Sequence, residues 1–196
     1  MKRYNIFILF SCIAILTTLS INSPELLAKT KSYKRTFATY SVPDVILTNQ
    51  DREKVHLKNF LNSEKPVLLE FIFSTCTTIC PVLSAGFSNM QKKLGPDMDK
   101  VHLVSISIDP EYDTPERMRH YLDRYRAKPG WNFFTGTRKD IDKVMYAFDA
   151  YVPNKMSHFP LTFLWVPGSK EWVRIYGMIS TKDLMSEYKL LINDNK

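Results

Sequence analysis

Residues 67–73, Val-Leu-Leu-Glu-Phe-Ile-Phe, constrain the fold more than any other stretch of this chain. The run is apolar on both alternating faces except at Glu70, as expected of a strand covered on both sides of a sheet. Ser74-Thr75-Cys76-Thr77-Thr78-Ile79-Cys80-Pro81 follows directly. Proline is tolerated in the first turn of a helix, where the N–H it lacks is not needed. The pattern predicts a central strand, a short loop with two cysteines, and a helix running to about residue 94, stopped near Gly95-Pro96.

The remaining elements alternate in type. Short strands are expected at 42–47 and 54–57 around a turn at 48–51, with a short loop or helix near 59–62. A second buried strand is expected over 101–108, ending at Asp109-Pro110. Thr114-Pro115-Glu116 opens a helix to about residue 126 with a threonine cap, a proline and an acidic first turn. A strand at 131–134 and a helix capped by Thr137 follow; segments 161–166 and 171–176 flank Pro167-Gly168-Ser169-Lys170 as a hairpin. Ser180, with Asp183 three residues on, starts a last helix to about residue 192. This order implies an α/β fold, a mixed central sheet with helices on both faces, and it matches the thioredoxin-like architecture. Residues 42–196 form the expected domain, large enough for a real core without disulfide staples. Residues 29–41 read as a linker.

Residues 1–28 read as an export segment, either a signal peptide or an uncleaved membrane anchor. Lys2 and Arg3 precede an uncharged, mainly apolar run at 6–21, and Leu26-Leu27-Ala28 offers a cleavage site. That run is shorter than the roughly 20 residues that span a bilayer comfortably. Membrane association, if retained, would run through 6–21, and the domain is expected outside the cytoplasm, in the periplasm. The net charge is +7, with basic and acidic residues interspersed. A nucleic-acid binder concentrates its positive charge on one face, so none is expected as a partner.

Export leaves two cysteines in the domain, since Cys12 falls within the apolar run. A single C-x3-C pair is not the scaffold of a small disulfide-rich module, so chemistry is the better account of it. A thiol beside a helix N-terminus has its thiolate favoured by free N–H groups and the helix dipole. Thiolate is the nucleophile of disulfide exchange and a soft ligand for Cu(I).

Three ordered blocks carry a family resemblance. Phe71-Ile72-Phe73-Ser74-Thr75-Cys76-Thr77-Thr78-Ile79-Cys80-Pro81 resembles the copper-site segment of the Sco/SenC proteins, which assist cytochrome oxidase assembly. Ser107-Ile108-Asp109-Pro110-Glu111-Tyr112-Asp113-Thr114-Pro115 is similar to a second family segment. Ser157-His158, followed by Thr162-Phe163-Leu164 and Pro167-Gly168, is similar to a third. The resemblance implies copper bound by Cys76, Cys80 and His158, with a copper-containing oxidase subunit or another extracytoplasmic redox protein as partner. Asp109, Asp113, Ser157 and Met156 are candidates to support that site from behind. The chain departs from the family at Thr77, usually proline; at Ser157, usually an aspartate that would assist the metal site; and at Val166, often aspartate.

Two other activities use the same thiols. A thiol–disulfide reductase would attack with one cysteine and resolve with the other. A thiol peroxidase is suggested by Thr77 three positions before Cys80, a spacing met in peroxiredoxins. His56, His102 and His120 read as structural or surface groups. Glu70 must be satisfied or neutralised if buried, and is a candidate for proton handling near the cysteines unless it lies at a sheet edge.

Overall fold

The computed structural model describes residues 32–194. The expected export segment and Cys12 lie outside the described residues. Among the described residues no helix is long and apolar enough to cross a membrane.

Among the described residues eight strands form one sheet: β1 (Tyr33–Ala38), β2 (Ile46–Asn49), β3 (Lys54–His56), β4 (Val67–Ile72), β5 (His102–Ser107), β6 (Trp131–Thr135), β7 (Leu161–Trp165) and β8 (Trp172–Gly177), in the spatial order β1-β8-β7-β4-β5-β6-β2-β3. Strands β4, β5 and β6 run parallel, while β7, β8 and β1 add antiparallel on one side and β2 and β3 on the other. The fully buried β4 sits between β5 and β7, so Glu70 is in the middle of the sheet and not at its edge.

The described α-helices, α1 (Leu57–Leu61), α2 (Cys80–Leu94), α3 (Pro115–Arg124), α4 (Arg138–Ala147) and α5 (Thr181–Asn193), cover the sheet. The expected caps form: Thr114, Thr137 and Ser180 each accept an N–H from the third residue on, at 3.3, 3.1 and 3.1 Å. Each such cap stabilises a helix start by about 1 kcal/mol.

On one face of the sheet α2 and α3 meet, where Ser88 of α2 donates to the Tyr125 carbonyl just past α3. Phe87 and Tyr121 of these helices pack their rings on Trp131 and Phe133 of β6. On the opposite face Phe71, Phe163 and Phe148 make edge-to-face contacts beside Tyr40. Each such pair contributes about 1 kcal/mol beyond the area it buries.

Several expectations need correction. Residues 33–38, expected in a linker, are β1, paired with β8 along its whole length. Its alternation is masked by Lys34 and Arg35, charges that suit an edge strand because they discourage further pairing. Glu187 of α5 anchors it, accepting from the Tyr33 hydroxyl at 2.7 Å and from Arg35 Nε at 2.8 Å. Strand β2 begins four residues later than expected and takes in Thr48 and Asn49, so the turn falls beyond them. There Asn49 Oδ1 accepts the N–H groups of both Asp51 and Glu53 at 2.9 Å and bends the chain after the strand, not within it.

Candidate metal centre

The site assembles where β4 ends and α2 begins. The Cys76 N–H donates to the Phe73 carbonyl at 3.1 Å, turning the chain off the strand. Ile79, in the capping position of α2, supplies no side-chain acceptor. A helix start leaves four N–H groups without internal partners. One of them, that of Cys80, points at Cys76 Sγ at 3.5 Å. The first sulfur thus does the work of a cap, which explains why two cysteines four apart suit this junction.

His158 arrives from the loop before β7. Lys155–Ser157 form a single 3-10 turn whose Met156 N–H donates to Asn154 Oδ1 at 2.9 Å. His158 Nδ1 lies 2.7 Å from the Lys155 carbonyl, which can only accept, so Nδ1 carries the proton. In the neutral ring Nε2 then presents a lone pair, and it faces Cys80 Sγ at 3.2 Å and Cys76 Sγ at 4.0 Å. The three ligand atoms lie within 4.8 Å of one another. The Phe73 ring packs edge-on against the imidazole at 5.1 Å. Beyond His158, Pro160 is held by its carbonyl accepting the Gly177 N–H at 2.9 Å. Gly177 has φ 116°, and a Cβ there would sit 2.7 Å from the Ser32 carbonyl oxygen. All peptide bonds among the described residues are trans.

The two thiols are unequal. Burial raises the Cys76 thiol, but hydrogen bonds from the Cys80 N–H and thiol and from Thr78 outweigh it, leaving its pKa below the ordinary value. Cys80 is fully buried; that burial, and then the neighbouring Cys76, push its pKa far up. Burial lowers the His158 pKa against an opposing hydrogen bond to Lys155, which favours the neutral ring.

The two aspartates hold the two loops from behind. Asp113, fully buried, accepts from Ser107 Oγ at 2.6 Å and from the N–H and hydroxyl of Ser74, two residues before Cys76. It does not cap α3, a task Thr114 performs. Asp109 pairs with the Lys155 ammonium, on the turn that carries His158. Ser157 and Met156 are exposed, Met156 by 68%. The part expected of an aspartate beside the histidine is taken by a backbone carbonyl, which a sequence cannot display.

Of the other histidines, His102 packs on Phe60 with ring centroids 4.5 Å apart, and His56 is exposed on β3. His120 is exposed on α3 but lines a groove that reaches Cys76, together with Tyr112, Arg117 and Arg124. His120 had been expected to be a structural or surface group, Tyr112 was quoted only within a motif, and Arg117 and Arg124 were not singled out. Their helical spacing at 117, 120 and 124 was the available signal.

Beneath the cysteines lies a second polar cluster. Glu70 Oε1 accepts from Ser105 Oγ at 2.7 Å and from Ser84 Oγ at 3.3 Å, while Oε2 has no partner. Tyr121 Oη is 2.9 Å from Ser84 Oγ, and Trp131 Nε1 donates to Ser105 Oγ at 2.9 Å. Burial, partly offset by the two serines, pushes Glu70 up to about 8, so its carboxyl is mainly neutral at pH 7.

A family model described as SCO1/SenC matches residues 34–188. The SCO1 protein homolog of Bacillus subtilis is 35% identical over 116 residues, which cover 58% of this chain and 59% of that protein. The structure of BsSco, described as a Sco-family cytochrome c oxidase assembly protein with a disulfide switch, superimposes with a TM-score of 0.65 at 28% identity. It covers 80% of this chain and 95% of that one. Copper-bound ScoI of Bradyrhizobium japonicum superimposes with a TM-score of 0.60 at 25% identity, covering 79% and 99%.

Proposed function

The chain belongs to the SCO1/SenC family, and from that premise we propose that it carries copper on Cys76, Cys80 and His158 and delivers it to an oxidase subunit. The observation that carries the reading is the orientation of His158: its Nδ1 is occupied by the Lys155 carbonyl and its Nε2 faces both sulfurs. Two thiolates and one imidazole are a donor set suited to Cu(I). Taking up the ion requires both thiols to lose their protons to solvent, the harder loss being that of buried Cys80. A mobile cargo needs few ligands and an open side; Cys76, buried to 7% exposure, borders a surface groove, whereas Cys80 is fully buried. The domain would act outside the cytoplasm, exported or tethered through residues 6–21.

The test is an anaerobic Cu(I) titration of the reduced full chain, in a Cys12→Ser background, against a competing chelator. One tightly bound copper is expected, with affinity reduced about 10- to 100-fold in His158→Ala. Weak binding that this substitution leaves unchanged would overturn the site.

A second reading is favoured by the inequality of the thiols. Cys76, with its lowered pKa, suits attack on a partner disulfide, and Cys80 then resolves the mixed disulfide. Such a reductase requires an external thiol to reduce it again. It is distinguished from copper delivery by exchange rates that survive His158→Ala. The peroxidase spacing rests on Cys80, which is fully buried.

A further inference from the structure

Cys76 borders a groove of about 450 Å³ whose walls include Thr77, Tyr112, Arg117, His120 and Arg124. Among the described residues no carboxylate lines it, although Glu116 stands next to it beside Arg117 and His120. The arginines differ from others in the molecule. Arg119 and Arg138 are paired with Asp51 and Glu111. Arg117 and Arg124 have no carboxylate partner among the described residues. Each donates instead to a backbone carbonyl, Tyr112 at 3.0 Å and Ser74 at 3.4 Å. Each also lies over an aromatic ring, that of Tyr112 at 3.7 Å and that of Tyr121 at 4.9 Å. Both guanidinium groups are therefore held in place with their charge unanswered, and planar guanidinium groups suit carboxylates.

We propose that this groove docks a carboxylate-rich segment of the acceptor protein, flanking the residue that engages Cys76. The proposal rests on the reading that Cys76 and Cys80 exchange metal or disulfide with a protein partner. Cys80 is sealed off, so an incoming ligand or sulfur meets Cys76 first, and the chain carrying it passes Arg117 and Arg124. Electrostatic guidance of this kind raises association rates by about 10- to 1,000-fold and fades with salt.

The experiment uses the reduced full chain with Cys12→Ser and three synthetic peptides. Each peptide carries one cysteine as a mixed disulfide with thionitrobenzoate, flanked by Asp/Glu, by Ser/Gln or by Lys. The Cys76 thiolate attacks the peptide sulfur and expels thionitrobenzoate, which is read by its absorbance. Cys80 then displaces the peptide thiolate and loses its own proton to solvent. The protein is oxidised by two electrons and the probe disulfide is reduced to two thiols.

At low ionic strength the acidic peptide is expected to react at least about tenfold faster than the Lys peptide. Arg117→Glu with Arg124→Glu should abolish or invert that preference, while Arg117→Lys with Arg124→Lys retains most of it. Lys92→Glu with Lys93→Glu, at the far end of α2, makes the same change in net charge and should leave it intact. Equal rates for all peptides, or equal losses in the groove and far-end variants, would overturn the proposal. So would suppression of the preference by 10 mM inorganic phosphate at constant ionic strength, which would assign the groove to small anions. Cu(I) titration of the same proteins separates the two ideas. A charge preference without copper binding would sink copper delivery and keep the groove, and copper binding without a preference would do the reverse.

Discussion

Two polar clusters lie within a few residues of each other around the start of α2, and they are built on opposite plans. The Cys76, Cys80 and His158 cluster comes from the loop after β4, the first residue of α2 and the loop before β7, and it borders a surface groove at Cys76. The Glu70, Ser84, Ser105 and Tyr121 cluster comes from β4, β5, α2 and α3 and is sealed beneath it. In the outer cluster the two sulfurs and His158 Nε2 are held by contacts to one another, to Thr78 and to the Cys80 N–H, sulfur contacts that a bound ion or an incoming sulfur can replace. In the inner one nearly every hydrogen bond is made internally, and one carboxyl is kept neutral by burial. Polar groups on neighbouring strands and helices lock onto one another, whereas Cys76 and His158, on loops gripped from behind, are left to react with the thiol at the start of α2.

The largest effect is expected from Cys80→Ser. It should lower Cu(I) affinity at least about 1,000-fold in chelator competition, because a hard hydroxyl replaces a soft thiolate. Unfolding stability should change far less. Near-normal copper binding would erase the contrast between the clusters.

Next comes Glu70, whose effect is on stability and pH. Its folded pKa, about 8, is raised above the ordinary 4.5. Above about pH 4.5 the unfolded carboxyl ionises while the folded one stays protonated. The unfolded chain then binds fewer protons, and stability falls as pH rises through the window from 4.5 to 8. The loss amounts to about 4 kcal/mol by pH 8 at 1.36 kcal/mol per unit. Urea unfolding of the reduced protein at pH 5, 6.5 and 8 should show this decline in wild type and lose it in Glu70→Gln. Parallel curves would mean that the carboxyl is not held neutral.

Asp113→Ala should cost about 2 kcal/mol, since it strands the Ser74 N–H and the Ser107 hydroxyl. Hydrogen exchange across residues 74–79 should accelerate along with it. Unchanged exchange there would show that the cysteine loop holds its shape without this grip.

The smallest effect is expected from Lys155→Met, which breaks the ion pair with Asp109 but keeps the backbone carbonyl that orients His158. Cu(I) affinity should move by less than about threefold, as expected of a half-exposed pair. A tenfold loss would show that the ion pair, and not the turn, positions the imidazole.

Much of this molecule was legible in advance for local reasons. Thr114, Thr137 and Ser180 announce helix starts because a cap acts within four residues. The run 67–73 announces a central strand because burial on both faces leaves no room for polar alternation. Strand β1 was not legible, because its place depends on β8 and on Glu187, about 150 residues away in sequence. Neither was the groove, whose arginines read as ordinary helix surface until Cys76 is set beside them.

The sequence by itself determined the α/β order, the strand–cysteine–helix junction and the chemical character of the two thiols as a soft, exchangeable pair. Those follow from short-range constraints: strand burial, the free N–H groups of a helix start, and the polarisability of sulfur. Only the tertiary structure decided which nitrogen of His158 faces the sulfurs, which thiol borders a surface groove and what backs each loop. Those depend on a carbonyl, a neighbouring helix and buried carboxylates brought together across the fold, where distance in space and not spacing along the chain sets the interaction.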